Sequence, residues 1–276
     1  IPGNVKVASI IVKIPINTNQ IPTDFNTIGQ WKNNNTIFTI KKDGSFLTSI
    51  SGYGREGGRW IIDSDYNQVI LTNNSGSDWI WKFESHTRFT DIPSGTLVSS
   101  LSINENSIPK AFIPVGQWKS SSVIFTINED GSFVTSISGY GRESGNWVID
   151  RVYNQLILTN KSNSDWIWSY RIDSLFTEVP GGAEIIALRR NKIEIPANYS
   201  PVGEWKRENE RYTLSEDGFY TSNLKGYGRE SGRWHVDRKY NQIVLINKSN
   251  SDLIWSFINP KLLRDISSGG EIVLKE

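Results

Sequence analysis

Three stretches of the chain carry the same groups: Gly-Tyr-Gly-Arg-Glu-Gly-Gly-Arg-Trp at 52–60, Gly-Tyr-Gly-Arg-Glu-Ser-Gly-Asn-Trp at 139–147 and Gly-Tyr-Gly-Arg-Glu-Ser-Gly-Arg-Trp at 226–234. Sugar recognition calls for these residue types together. An aromatic face takes the C–H surface of a pyranose, a planar guanidinium offers a rigid fork of donors to adjacent hydroxyls, and a carboxylate accepts from them. The flanking glycines permit positive φ and close backbone approach. Tyr53, Arg55 and Glu56, Tyr140, Arg142 and Glu143, and Tyr227, Arg229 and Glu230 are therefore candidate ligand-binding residues. The motif has a second reading as a packing joint, because repeat proteins need matching interfaces. In that reading Arg and Glu pair with backbone or a neighbouring unit and Tyr plugs a barrel end.

Other repeated residues could do chemistry. In Trp-Ile-Trp, Trp79 and Trp81 share one strand face. Trp79 and Trp166 lie beside a polar turn and are replaced by Leu253 in the third copy, so they are candidate ligand platforms. Trp60, Trp147 and Trp234 each head an alternating strand and read as core. The polar segments at 73–78, 160–165 and 247–252 fit Asn-x-Ser at Asn73, Asn160 and Asn247, and they read as hairpin tips that could rim a site. Carboxylates recur at Asp43/Asp130/Asp217, Asp63/Asp150/Asp237 and Asp78/Asp165/Asp252. Two of them could form the acid–base pair of a glycan-active enzyme. The first two sets sit where Asx side chains bond nearby backbone, which favours a role in turns. The 2 histidines, His86 and His235, do not repeat, and there is no phosphate-loop motif or His-rich metal spacing. No catalytic residue, metal or cofactor is expected.

The positions that present these groups keep a strict period. Trp31, Trp118 and Trp205 recur at 87 residues, as do Trp60, Trp147 and Trp234, and all 11 tryptophans fall on four repeat positions. Ile-Pro at 21–22, 108–109 and 195–196 keeps the same step. The spacing admits no insertion between these landmarks. Units over 1–95, 96–182 and 183–276 follow, the last with a closing strand in Gly-Gly-Glu-Ile-Val-Leu-Lys-Glu at 269–276. The stretch at 5–16 matches the same strand region, so strands are expected to be shared across unit boundaries.

Within unit two, Val-Ile-Phe-Thr-Ile at 123–127 is β-branched and aromatic, Asn-Glu-Asp-Gly at 128–131 is a turn signal, and the alternating run at 132–138 completes a hairpin. No stretch has sustained apolar spacing of three and four. The chain is expected to be all-β, with six or seven strands per unit. Each unit is then a small antiparallel barrel or sandwich, the alternative being sectors of one propeller-like body. The Gly-x-Trp opening followed by an Asp-Gly hairpin resembles lipocalin- and avidin-type barrels, and no function is carried across from that resemblance.

Composition narrows the function. The 276 residues hold 30 Lys+Arg against 29 Asp+Glu, for a net charge of +1, and no basic run beyond Arg189–Arg190–Asn191–Lys192. Neither nucleic acid nor a membrane span is expected. The absence of cysteine removes disulfides and thiol chemistry. A first residue of Ile rather than Met is what a processed product shows. The expected function is non-enzymatic, multivalent, lectin-like binding of glycans or cell-surface glycoconjugates at three equivalent sites, in an extracellular or secreted protein. The alternative is a structural or adhesive protein that self-associates through its repeated loops and strand edges.

Overall fold

The computed structural model describes residues 19–50, 55–92, 94–103, 105–136, 142–224, 228–248 and 252–275. Among them there are 24 strands and no helix. They close three eight-stranded antiparallel barrels in tandem along the chain. Barrel 1 comprises β1 (Gly29–Asn33), β2 (Thr36–Ile40), β3 (Ser45–Ile50), β4 (Gly57–Asp63), β5 (Gln68–Asn73), β6 (Asp78–Ser85), β7 (Arg88–Ile92) and β8 (Leu97–Ser100). Barrel 2 comprises β9 (Gly116–Ser120), β10 (Val123–Ile127), β11 (Ser132–Ser136), β12 (Ser144–Asp150), β13 (Gln155–Asn160), β14 (Asp165–Ile172), β15 (Leu175–Val179) and β16 (Glu184–Leu188). Barrel 3 comprises β17 (Gly203–Arg207), β18 (Glu210–Leu214), β19 (Phe219–Leu224), β20 (Gly228–Asp237), β21 (Gln242–Asn247), β22 (Asp252–Asn259), β23 (Leu262–Asp265) and β24 (Glu271–Leu274).

Sequential strands are neighbours throughout, so each barrel is of the up-and-down kind. Closure comes from a strand beyond the boundaries at 95 and 182. β8 pairs back on β1 through Trp31↔Ser100, and β16 on β9 through Ala187↔Trp118. β24 does the same for barrel 3, pairing with both β17 and β23. Each repeat thus closes its own barrel rather than contributing open propeller blades, and the eighth strand is the one the count of six or seven misses. Closure also removes the C-terminal edge on which strand-edge self-association relied. The matching stretch at 5–16 lies outside the described residues.

An eight-stranded barrel is just wide enough for side chains to fill it. Inward positions on successive strands supply Trp31, Phe38, Phe46, Leu71, Trp81 and Phe89 in barrel 1, all buried. The central contact is the same each time: Trp81 edge-on to Phe38 at 4.8 Å, Trp168 to Phe125 at 4.8 Å and Trp255 to Tyr212 at 4.9 Å. The core therefore rests on the tryptophans at 31 and 81 and their repeats, which are almost fully buried. Trp60, Trp147 and Trp234 are only half-buried. Each Nε1 donates to a hairpin carbonyl, of Lys41 at 2.9 Å, Asn128 at 2.9 Å and Ser215 at 3.0 Å, so the three share one environment at the barrel end.

The chain divides into two compact units, one holding barrel 1 and the other barrels 2 and 3. Inside the second unit the two barrels share a small apolar core of Ile124, Val244 and Ile254, with Leu188, Ile246 and Ile266 packed on it. Gln117 Nε2 donates to Gln242 Oε1 at 3.2 Å, and Gln242 Nε2 to Gln117 Oε1 at 2.7 Å. Lys119 Nζ donates to the carbonyls of Ile266 and Ser267 at 3.2 and 2.9 Å.

Candidate functional site

Two segments singled out by repetition meet at the rim of each of the first two barrels. Glu56 extends the β3–β4 ladder, its N–H donating to Thr48 Oγ1 at 3.0 Å and its carbonyl accepting from Thr48 N–H at 2.7 Å. Its Oε2 accepts from Asn73 Nδ2 at 2.9 Å, and Asn73 Oδ1 accepts from the N–H groups of Ser75 and Ser77 at 3.0 and 2.8 Å. Barrel 2 repeats this arrangement. Asn160 Nδ2 donates to Glu143 Oε2 at 2.6 Å, and Asn160 Oδ1 accepts from Ser162 and Ser164 at 2.9 and 2.8 Å. The glutamate thus anchors the polar hairpin tip through one carboxylate oxygen.

The last glycine of the motif has a different task. A Cβ on Gly58, Gly145 or Gly232 would stand 2.0, 1.9 or 1.9 Å from the carbonyl oxygen of Thr72, Thr159 or Ile246. The neighbouring strand passes too close for any side chain, so glycine there is required for strand approach.

An open cleft lies between the two segments. In barrel 2 it is about 480 Å³ and is lined by Arg142, Glu143, Ser144, Asn160, Lys161 and Ser162, with Ser164 beside them. In barrel 1 it is about 200 Å³, lined by Arg55, Glu56, Gly57, Asn73, Asn74 and Ser75. Of these two rim clefts, the one in barrel 2 reaches the usual size of a small-molecule site. Barrel 3 keeps Arg229, exposed, and Glu230, half-buried opposite Ser222, while residues 225–227 and 249–251 lie outside the described residues.

Tyr53, Tyr140 and Tyr227 also lie outside the described residues. Arg142 is already engaged, its Nε and Nη2 donating to Oδ2 of Asp252 at 3.1 and 2.7 Å, where Ser136 Oγ also donates at 2.9 Å. Asp252 is fully enclosed; burial raises its pKa, and Arg142 and Ser136 draw it back. In barrel 2 the arginine is thus turned to a carboxylate of barrel 3, as a packing joint would have it. Trp79 and Trp166 are half-buried against Phe38 and Phe46, and Phe125 and Phe133, and neither is among the lining residues of these two clefts. Sequence reasoning missed Asp252 as the partner of Arg142. The recurrence of Asp78, Asp165 and Asp252 was the available signal, but nothing in it named the partner.

The other repeated aspartates are turn residues. Asp130 accepts from Ser132 N–H at 2.9 Å and Ser132 Oγ at 2.6 Å, and Asp150 accepts from Val152 and Tyr153 N–H at 2.9 and 3.2 Å. A further cleft of about 580 Å³ lies at the basic run, lined by Arg189, Arg190 and Lys192, with Asn191 tied to the Phe257 carbonyl at 2.6 Å.

No family model matches the chain, and no curated protein matches it significantly. Two solved structures share a loose likeness. A candidate 6-phosphogluconolactonase from Bacteroides fragilis is 11% identical over 88% of this chain and 82% of its own, with a TM-score of 0.13. A second, from Bacteroides uniformis, is 10% identical over 89% of this chain and 85% of its own, with a TM-score of 0.14. Likeness that slight says nothing about what this chain does. No helix among the described residues is long and apolar enough to cross a membrane.

Proposed function

We propose that the chain is a non-enzymatic recognition protein that binds glycans at the barrel rims, between the Gly-Tyr-Gly-Arg-Glu loop and the Asn-x-Ser tip. The observation that supports this is the recurrence of an open polar cleft at the same rim position in barrels 1 and 2, lined by the chain's two most strictly repeated polar segments. In barrel 2 Lys161, Ser162 and Ser144 line the cleft with side-chain donors, while Glu143 and Asn160 brace the tip. Rim sites repeated on one chain raise avidity for a displayed glycan without new contacts. The expected setting is extracellular.

A glycan array identifies the ligand class. Calorimetric titration of Tyr140→Ala and Lys161→Ala then checks the site: each is expected to remove binding at barrel 2 with melting unchanged. An array on which nothing binds would sink the reading. The alternative of a structural protein is favoured by the Arg142–Asp252 clamp, which makes one copy of the motif a joint. Loss of cooperative melting in Tyr140→Ala would support that alternative.

A further inference from the structure

We propose that barrel 1 carries an open copy of the face on which barrel 2 sits against barrel 3, and that this face takes another barrel of the same kind, presenting Arg, Gln and Lys around an aliphatic centre. The contact inside the second unit is directional. Barrel 2 contributes a donor face of Gln117, Lys119, Ile124, Ser136, Arg142 and Leu188. Barrel 3 contributes an acceptor face of Gln242, Val244, Asp252, Ile254 and the Ile266 carbonyl, and its Gln242, Val244, Asp252 and Ile254 are 4–7% exposed.

The 87-residue step transfers each face to the other barrels. The acceptor face recurs on barrel 1 with its chemistry intact, as Gln68, Ile70, Asp78, Ile80 and Ile92. There Asp78 is exposed and the other four are partly exposed, where the barrel 3 counterparts Gln242, Val244, Asp252 and Ile254 are buried, so among the described residues this aliphatic patch and its carboxylate are more open than on barrel 3. The donor face on barrel 3 has changed. Ile124 becomes Arg211, Leu188 becomes Lys275, Gln117 becomes Glu204 and Ser136 becomes Asn223, all exposed. Glu204 and Lys275 pair at 3.1 Å across what would be its apolar centre, each side chain 55% exposed. Burying those charges against Ile70 and Ile80 would cost more than the surviving Lys206 and Arg229 could return. Barrel 3 thus presents a polar face here, of the kind that caps repeat arrays, and a second copy of this chain does not fill the barrel 1 face. The partner it fits is a barrel whose donor face is still apolar. This inference is independent of the glycan reading.

The test restores the donor face on the full chain with Glu204→Gln, Arg211→Ile, Asn223→Ser and Lys275→Leu. Sedimentation velocity is expected to show the wild type as a single chain. The restored variant should grow head to tail, with weight-average mass rising at least about two-fold with concentration, since a heterologous contact does not close on itself. Adding Asp78→Ala and Ile80→Arg should abolish growth, and that blocked chain mixed with wild type should give a 1:1 complex. A folded restored variant that stays a single chain, growth that survives the blocking pair, or head-to-tail growth of the wild type each overturns the proposal. Should the fourfold variant melt early, Arg211→Ile with Lys275→Leu alone is read in the same mixing experiment.

Discussion

At the scale of single residues, repetition marks positions with no freedom, and geometry shows why. Gly145 meets the Thr159 carbonyl at a distance no Cβ tolerates. Gly145→Ala should therefore destabilise barrel 2 by about 1–3 kcal/mol, as forced overpacking does, which thermal melting checks. Asp130 is held below its ordinary value of 3.8 by the Ser132 hydroxyl and then the Ser132 N–H. A depressed carboxylate adds stability that is present above the unfolded value and is lost as pH falls through the folded one. The carboxyl titration of Asp130, followed by NMR, should thus have its midpoint below 3.8. Ser132→Ala should move it up toward that value.

At the scale of elements, burial separates tryptophans that keep the same period along the chain. Trp168 is 1% exposed at the barrel centre, whereas Trp147 caps a hairpin at the barrel end. Trp168→Ala should cost about 3–5 kcal/mol, and Trp147→Ala clearly less. Denaturant melts of the pair check the order. The strand core of each barrel was legible in the β-branched and aromatic run at 123–127 and the alternation at 132–138, and so was the closing role of 271–274, because a fixed period exposes an unmatched strand. The eighth strand was not counted, since it lies past the repeat boundary and only its pairing assigns it to the preceding barrel.

At the scale of the second unit, barrels 2 and 3 should melt as one cooperative transition. Arg142→Ala leaves Asp252 enclosed without its guanidinium. The loss should be about 3 kcal/mol, the low end for breaking a buried pair, because the Arg142 side chain is 37% exposed. Ile124→Arg should go further, splitting the transition in two by placing a charge in the shared apolar core. Differential scanning calorimetry checks both.

The sequence by itself determined the period, the all-β class, the absence of insertions and the roles of Asp43, Asp63 and their repeats in turns. All of these follow from local chemistry or from counting along the chain. Only the tertiary structure decided that each repeat closes into a barrel, that Glu143 braces Asn160 and that Arg142 is bound to Asp252, 110 residues away. Closure and contact join residues that are distant in the chain. A repeat shows that positions share a role, but which groups meet depends on how the strands curl and which barrel faces touch.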